Sequence, residues 1–260
     1  AGGIRYSMDS TAIAAGSRNR GLEDENELPF ATDSTARSQA WNYLPESAKE
    51  VAEIKALLTK SGLNTQLDTG YVATEENVRS LGASGPSPRV LHLSTHGFFF
   101  PDPAKRNTTS IRLEEQTPFK ISEHPMIRSG LLLAGANQAW TTGRSAGGGL
   151  EDGILTAYEI SQMNLSATEL VVLSACETGL GDIEGNEGVY GLQRAFKIAG
   201  AKYLIMSLWK VNARSTREFM TAFYRQWLEQ KQPIPDAFRA AQQALRAKYP
   251  DAPYHWAGFV

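Results

Sequence analysis

The chain is short of the residues that several classes of protein require. Its 260 residues include one cysteine, so no disulfide can form within the chain and no cysteine-rich metal site can be built. No apolar run approaches the roughly 18 residues of a membrane-spanning helix. Lys and Arg number 26 against 28 Asp and Glu, a net charge of −2, so the basic excess that a nucleic-acid backbone attracts is missing. We therefore expect neither a membrane segment nor a directly bound nucleic acid.

The start of the chain also lacks expected features. It reads Ala-Gly-Gly, without an initiating Met and without a signal peptide. This predicts a piece of a longer protein, or a processed or trimmed chain, located in the cytoplasm. Apolar residues make up 42% and charged residues 21%, which is enough for a core and excludes a mostly disordered chain. The length suits one large α/β domain or two small ones.

Strands and helices alternate through most of residues 45–230. The expected strands are continuous apolar runs, which are typical of a mainly parallel sheet covered by helices on both faces. We expect strands at 89–95, 130–136, 170–175 and 202–208, with weaker candidates at 3–8, 63–68 and 255–260. We expect helices from Pro45 to Gly62, from Thr74 to about Leu81, and at 154–163, 189–199, 213–230 and 235–248.

The intervening segments predict the domain organisation. Residues 1–40 are expected to form one short strand and a long exposed loop that includes the acidic cluster 23–27. A second region, 41–260, carries the regular structure. Within it, residues 98–128 are expected to be a long connection, and the Gly-rich stretch 141–150 a flexible loop.

Two chemically capable residues follow expected strands. His96 ends the stretch 91–96, and Cys176 ends the stretch 171–176. In parallel sheets reactive groups lie just past the carboxyl ends of the strands, so neighbouring strands would bring the thiol and the imidazole to one edge. An adjacent imidazole makes the nucleophilic thiolate available at neutral pH. The N–H groups of Gly97 and Cys176 could then hold a developing oxyanion.

Each of these residues taken alone has an ordinary structural explanation. A lone cysteine at the end of an apolar strand is usually a small buried hydrophobe, and a histidine beside a strand usually packs in the core. His92 and His96 are about 13 Å apart on a strand, so they cannot share a metal, and His92 is expected to pack or hydrogen-bond inside. No cofactor is predicted.

Several stretches resemble the CHAT domain, and together they span roughly residues 40–260. They read LSTHGFF at 93–99, RSGLLLAGAN at 128–137, DGILTA at 152–157, LSACETG at 173–179, GVYGLQRAF at 188–196 and SLWKV at 207–211. CHAT domains are caspase-like cysteine peptidases related to separase, gingipains and caspases. The resemblance implies a caspase-like α/β/α sandwich with a mainly parallel central sheet. It also implies a catalytic dyad that maps onto His96 and Cys176.

The resemblance further implies partners and a substrate. CHAT domains usually follow tetratricopeptide repeats, so an upstream repeat region or an activator protein would control the domain. The substrate would be a protein or peptide. Bacterial relatives in defence systems make a pore-forming, gasdermin-like substrate conceivable, by resemblance alone.

Relatives bind substrate as an added extended strand, which maps here to about 207–211. The substrate-binding candidates are Ser207, Leu208, Trp209, Val211, Ala213, Asp152 and Glu177. Related sequences tend to carry acidic residues just after Trp-x-Val, where separase-like enzymes receive a basic P1 side chain. Here Asn212 and Ala213 follow, so we expect a neutral P1 residue, unless Asp152, Asp182, Glu184 or Glu187 enters the pocket.

Two alternatives keep these residues but change the function. The first is a catalytically silent scaffold of the same fold that binds peptides without cutting them. The second is a small-molecule thiol hydrolase with a closed pocket beside Trp209. Intact His96 and Cys176 favour a peptidase over the scaffold.

Overall fold

A computed structural model gives the fold of the chain. It describes residues 1–8, 40–100, 122, 124, 126–145, 151–174, 187–209 and 211–260. The expected loops at 9–39, 101–121 and 146–150 lie outside the described residues, as does the Gly-rich stretch that follows Cys176.

Helices and strands alternate along the described chain. The strands are β1 (Val90–Leu93), β2 (Gly97–Phe99), β3 (Ser129–Leu132), β4 (Ile154–Thr156), β5 (Leu170–Leu173) and β6 (Tyr203–Met206). The helices are α1 (Pro45–Lys60), α2 (Glu75–Arg79), α3 (Ala136–Thr142), α4 (Ala157–Ser161), α5 (Glu187–Ile198), α6 (Ala213–Leu228) and α7 (Ile234–Lys248). A 3₁₀ turn covers Pro253–His255.

The expected parallel sheet is confirmed. Its order is β1-β5-β6, and both neighbouring pairs run parallel. Leu93 lies opposite Leu173, and Leu173 lies opposite Met206. All four residues of β5 are buried, which explains why this central strand reads as an unbroken apolar run.

A second, antiparallel sheet was not anticipated from the sequence. Its order is β2-β3-β4, with Gly97 opposite Leu131 and Leu131 opposite Leu155. Two of the three residues of β2, Phe98 and Phe99, fall inside the stretch 98–128 that is expected to be a long connection. Only three residues, 94–96, separate it from β1, so the chain passes directly from one sheet to the other.

Two hydrophobic clusters cover the parallel sheet. Alternate side chains of β5 belong to different clusters, because successive residues of a strand point to opposite faces. Val171 and Leu173 pack with α5 and the antiparallel sheet. Leu170 and Val172 pack with α1, α6 and α7. Ile4 is buried in the first cluster, so the beginning of the chain is part of the same core.

Several local predictions match the structure closely. Helix α1 begins at Pro45, and Gly62 just beyond it has a positive φ of 80°, a conformation that favours glycine. The side chain of Thr74 accepts a hydrogen bond from the N–H of Asn77 and so caps α2. The four aromatic side chains of α6 are buried in the core: Phe219, Phe223, Tyr224 and Trp227.

Four local predictions need correction. Residues 3–8 contribute a single bridge, between Ile4 and Gly70, and 63–68 form no strand. The expected helix 154–163 begins as β4, because residues 154–156 pair with β3, and a capping box at Thr156 then starts α4. The end of the chain forms the 3₁₀ turn and one bridge, Ser207 to Phe259, in place of a strand from 255.

A membrane-crossing helix does not occur among the described residues, since none of their helices is both long enough and apolar enough.

Candidate active site

His96 lies where the chain leaves the parallel sheet and enters the antiparallel one. Its side chain is buried, with the residue 2% exposed. Strand β1, which precedes it, pairs with β5, and the N–H of Ser174 donates to the carbonyl of Leu93 at 2.9 Å. The strands that lead to His96 and Cys176 are therefore neighbours, parallel and in register. Cys176 and Glu177 themselves lie outside the described residues.

A short series of hydrogen bonds holds the backbone of His96. Its N–H donates to the hydroxyl of Tyr6 at 3.3 Å. That hydroxyl lies 2.9 Å from Oγ1 of Thr95, which in turn donates to the carbonyl of Leu132. Because the single hydroxyl hydrogen of Thr95 is used on Leu132, Tyr6 must donate to Thr95. Tyr6 thus holds residues 95 and 96, and Thr95 joins them to the antiparallel sheet at Leu132.

The imidazole of His96 is oriented from one side by residues 41 and 42. Its Nε2 lies 2.7 Å from the carbonyl oxygen of Asn42. A carbonyl can only accept, so Nε2 carries the hydrogen, and in the neutral ring the lone pair is on Nδ1. The rings of Trp41 and Tyr6 lie against the imidazole, with centroids at 4.9 and 5.0 Å. This arrangement suits Nδ1 to exchange a proton.

Gly97 is the first residue of β2, an outer strand of the antiparallel sheet. The carbonyl of His96 and the N–H of Phe100 both bond toward β3. Because backbone groups alternate in direction along a strand, the N–H of Gly97 points to the outer edge of β2. That direction is the one an oxyanion donor beside His96 needs.

The C-terminal residues lie along the segment expected to bind substrate. Met206 and Val260 exchange two backbone hydrogen bonds of 3.0 Å, and the N–H of Leu208 donates to Gly258 at 2.7 Å. Ser207 pairs with Phe259, which is buried and stacked on Phe219 at 4.1 Å. The backbone groups of Met206 and the N–H of Leu208 are therefore used by the C-terminal residues along this edge.

The remaining residues of this segment are held by the fold. Trp209 is half-buried, stacks on Tyr254, and donates from Nε1 to the carbonyl of Tyr254 at 3.3 Å. Val211 is buried in the core beneath α6. Asn212 caps α6 by accepting from the N–H of Arg214, and Ala213 begins that helix. Lys210 lies outside the described residues.

Asp152 is placed apart from the groups that touch His96. Its carboxylate accepts from the N–H of Ile154 at 2.8 Å and hydrogen-bonds to the side chain of Glu75 on α2. Burial, more than the nearby negative charge of Glu159, raises the pKa of Asp152 to about 6. Among the candidate carboxylates, Asp182 and Glu184 lie outside the described residues, and the side chain of Glu187 is likewise not described.

Sequence reasoning missed the residues that orient His96. Tyr6 lies in a stretch interpreted as a short strand, and residues 41 and 42 lie at the edge of a polar region without periodicity. Asn137, which bonds to Trp41, belongs to a stretch that carries the family resemblance, but no role was assigned to it. Across the described residues, no three His, Cys, Asp or Glu side chains gather in a way that would hold a metal ion.

Comparisons with known proteins identify the family of the chain. The model of the CHAT domain family matches residues 5–260. The chain is 25% identical to the human tetratricopeptide repeat protein 28 over 231 residues, which cover 85% of this chain and 8% of the relative. It is 32% identical to the mouse tetratricopeptide repeat protein 28 over 111 residues, or 43% of this chain and 4% of the relative. The chain thus spans less than a tenth of either relative, and it belongs to the CHAT domain family.

Proposed function

We propose that this domain is a cysteine endopeptidase that cleaves a protein substrate through His96 and Cys176. One observation carries the proposal: β1 and β5 are neighbouring parallel strands in register, and His96 and Cys176 each follow their strand by three residues. The carbonyl of Asn42 adds support, because it leaves the lone pair of the neutral imidazole on Nδ1. Membership of a family related to cysteine peptidases points the same way.

The proposed reaction is a two-step acyl transfer. The Cys176 thiolate attacks the peptide carbonyl carbon, and the N–H groups of Gly97 and Cys176 bind the oxyanion. The C–N bond breaks while protonated His96 gives its proton to the leaving amine. His96 then takes a proton from water, whose oxygen attacks the thioester, and the C–S bond breaks to release the acid and to restore the Cys176 thiolate beside protonated His96.

The substrate would bind as an extended strand from Trp209 onward, beyond the edge that residues 258–260 occupy. We propose a neutral P1 side chain, because Asn212 stands where a carboxylate would be needed and its amide oxygen caps α6. The repeat proteins among the relatives support control by an upstream repeat region or a partner protein. We propose a cytoplasmic location as part of the same hypothesis. A gasdermin-like substrate is suggested only by the family resemblance.

Labelling with peptidyl chloromethyl ketones tests the reaction. Because Cys176 is the sole cysteine, alkylation adds one defined mass to it. We expect rapid labelling by a ketone with Leu at P1, slower labelling by the same peptide with Arg at P1, and none in Cys176→Ala. His96→Ala should slow labelling about 100-fold or more, as for loss of a general base. His124→Ala is the matched control, because His124 is exposed.

The outcomes separate the proposal from its alternatives. An inert Cys176 in a folded protein would favour the peptide-binding scaffold. Labelling by small electrophiles but not by peptidyl ketones would favour a small-molecule thiol hydrolase. Faster labelling with Arg at P1 would overturn the proposed specificity but leave the peptidase assignment in place.

A further inference from the structure

We propose that Asn137 is a positioning residue for His96. Its side chain and backbone hold the two separate chain segments that contact the imidazole. This inference rests on the proposed function, since it concerns how the proton-transferring ring is kept in place. Asn137 is the second residue of α3 and is 6% exposed.

The side-chain amide of Asn137 both accepts and donates hydrogen bonds. Oδ1 accepts from the N–H of Trp41 at 2.7 Å, and Nδ2 donates to the carbonyl of Trp41 at 3.0 Å. Nδ2 also donates to Oγ of Ser7 at 2.8 Å, and the backbone N–H donates to the carbonyl of Tyr6 at 2.9 Å. One residue therefore fixes residues 6–7 and residue 41 at once.

These two segments supply the contacts that surround the imidazole. Asn42, next to Trp41, provides the carbonyl that binds Nε2 at 2.7 Å, and Trp41 and Tyr6 provide the two rings. Both segments are irregular chain, outside any helix or strand. The first segment is also held through Arg5, whose N–H donates to Gly70 and whose carbonyl accepts from Gly135. The side chain of Asn137 bonds to both segments, through Ser7 and Trp41, and so connects them to each other.

The chemistry of this position favours asparagine. The half-buried backbone N–H and carbonyl of Trp41 take an acceptor and a donor from the same side chain, and a primary amide offers both. Aspartate has the same shape but lacks the donor, so its carboxylate would face a carbonyl oxygen. An apolar side chain would leave both backbone groups of Trp41 without this partner, which is costly in a half-buried place.

Loss of the hydrogen bonds between Asn137 and Trp41 should affect His96 through Asn42, the residue next to Trp41. If residue 42 shifts, Nε2–H loses its acceptor, so the ring is no longer held in one tautomer and one position. A misplacement of about 1 Å at a catalytic group can cost about 100-fold in rate. The effect should therefore reach the thiol even though Asn137 touches neither the substrate nor the sulfur.

The test is the pH dependence of Cys176 alkylation by iodoacetamide in Asn137→Asp. In the wild-type protein we expect a rate profile with its midpoint below the roughly 8.5 of a free cysteine. In Asn137→Asp the midpoint should move toward that value, with about a tenfold slower reaction at pH 7 if it moves by about one unit. Nitrogen NMR of His96 should also change, from a single Nε2–H tautomer to a mixture.

Asn77→Asp is the matched control. Asn77 also lies in a short helix, and its Nδ2 donates to a backbone carbonyl, that of Val72, at 2.7 Å. It touches neither segment around His96, so its variant should keep the wild-type alkylation profile and tautomer. A thermal unfolding scan shows whether each variant is folded.

The outcomes are distinct. A wild-type profile and tautomer in folded Asn137→Asp would overturn the inference and leave the proposed dyad intact. A midpoint near 8.5 in the wild-type protein would overturn the dyad and the positioning role with it. If Asn137→Asp does not fold, Asn137→Ser replaces it, because serine suits the start of a helix but is too short to bridge both groups of Trp41.

Discussion

A buried carboxyl group joins the strands that lead to the proposed site. Glu50 on α1 is 2% exposed, and its Oε1 lies 2.8 Å from Nε2 of His92 on β1. Its Oε2 accepts from Oγ of Ser174 at 3.0 Å, just beyond β5. The other ring nitrogen of His92 lies 3.2 Å from the hydroxyl of Tyr224 on α6. The expectation that His92 hydrogen-bonds inside the protein is therefore confirmed.

Replacing Glu50 by alanine should destabilise the protein strongly. The variant would leave Nε2 of His92 and the hydroxyl of Ser174 without their shared partner, at about 1–3 kcal/mol each, or about 2–6 kcal/mol together. Glu53→Ala, on the same helix, is the control. Glu53 is half-buried, pairs with Arg217 and accepts from Oγ1 of Thr221, and its loss should cost about 1–2 kcal/mol because solvent screens this site more than that of Glu50. Urea unfolding gives the free energy of unfolding of each variant. An equal decrease in the two variants would contradict the role assigned to Glu50.

The antiparallel sheet depends on a glycine in its central strand. A Cβ added at Gly130 would lie 2.6 Å from the ring of Phe98 and 2.7 Å from the carbonyl oxygen of Leu155. The first contact is with β2 and the second with β4, so the methyl group would press on both neighbours of β3. The backbone oxygen cannot move without opening the β3–β4 ladder.

Gly130→Ala should therefore lower the free energy of unfolding by about 1–3 kcal/mol, as is typical when a side chain is added to a well-packed core. Gly85→Ala is the control, because a Cβ there meets nothing within 4 Å and should leave stability near its wild-type value. Thermal unfolding compares the two. Unchanged stability in Gly130→Ala would mean that the three strands pack more loosely than these distances indicate.

Sequence patterns predict a helix or strand correctly where the residues of that segment fit one type of structure and not the other. The apolar run 170–173 and the proline at 45 each specify their element locally. The sequence predicts a helix at residues 154–156 because Ile154 and Leu155 also fit a helical pattern, whereas their pairing with β3 comes from residues 22 to 26 positions away. The antiparallel sheet was missed for the same reason: short strands contain too few residues to reveal their partners.

In the candidate site, too, local sequence predicts some residues and the packing of distant segments determines the others. His96 could be found from sequence because it follows an apolar strand, and the pairing of that strand with β5 fits the expected topology. The groups that orient its ring come from residues 6, 41, 42 and 137. No spacing rule connects these positions, because they meet only after the two sheets and α3 have packed together.

Global stability should fall as the pH rises, because Glu75 retains a proton in the folded protein. Burial, assisted first by the negative charge of Glu159 and then by that of Asp152, raises the pKa of Glu75 to about 9. Glutamate in the unfolded chain has a pKa near about 4.3. Between these values the folded state binds more protons than the unfolded state. The stabilisation is therefore complete below pH ~4.3 and is lost as the pH rises toward ~9.

Glu75→Gln should flatten this dependence. Glutamine still accepts from the N–H of Gly153, which Oε2 of Glu75 binds at 2.9 Å, and it does not ionise. The free energy of unfolding, measured in urea from pH 5 to 9, should differ in slope from wild type by at most about 1.4 kcal/mol per pH unit. Glu76→Gln, one residue along the same helix and only half-buried, should keep the wild-type slope. Parallel curves for wild type and Glu75→Gln would mean that Glu75 is already ionised in the folded protein, and that the link between α2 and the start of β4 is a charged one.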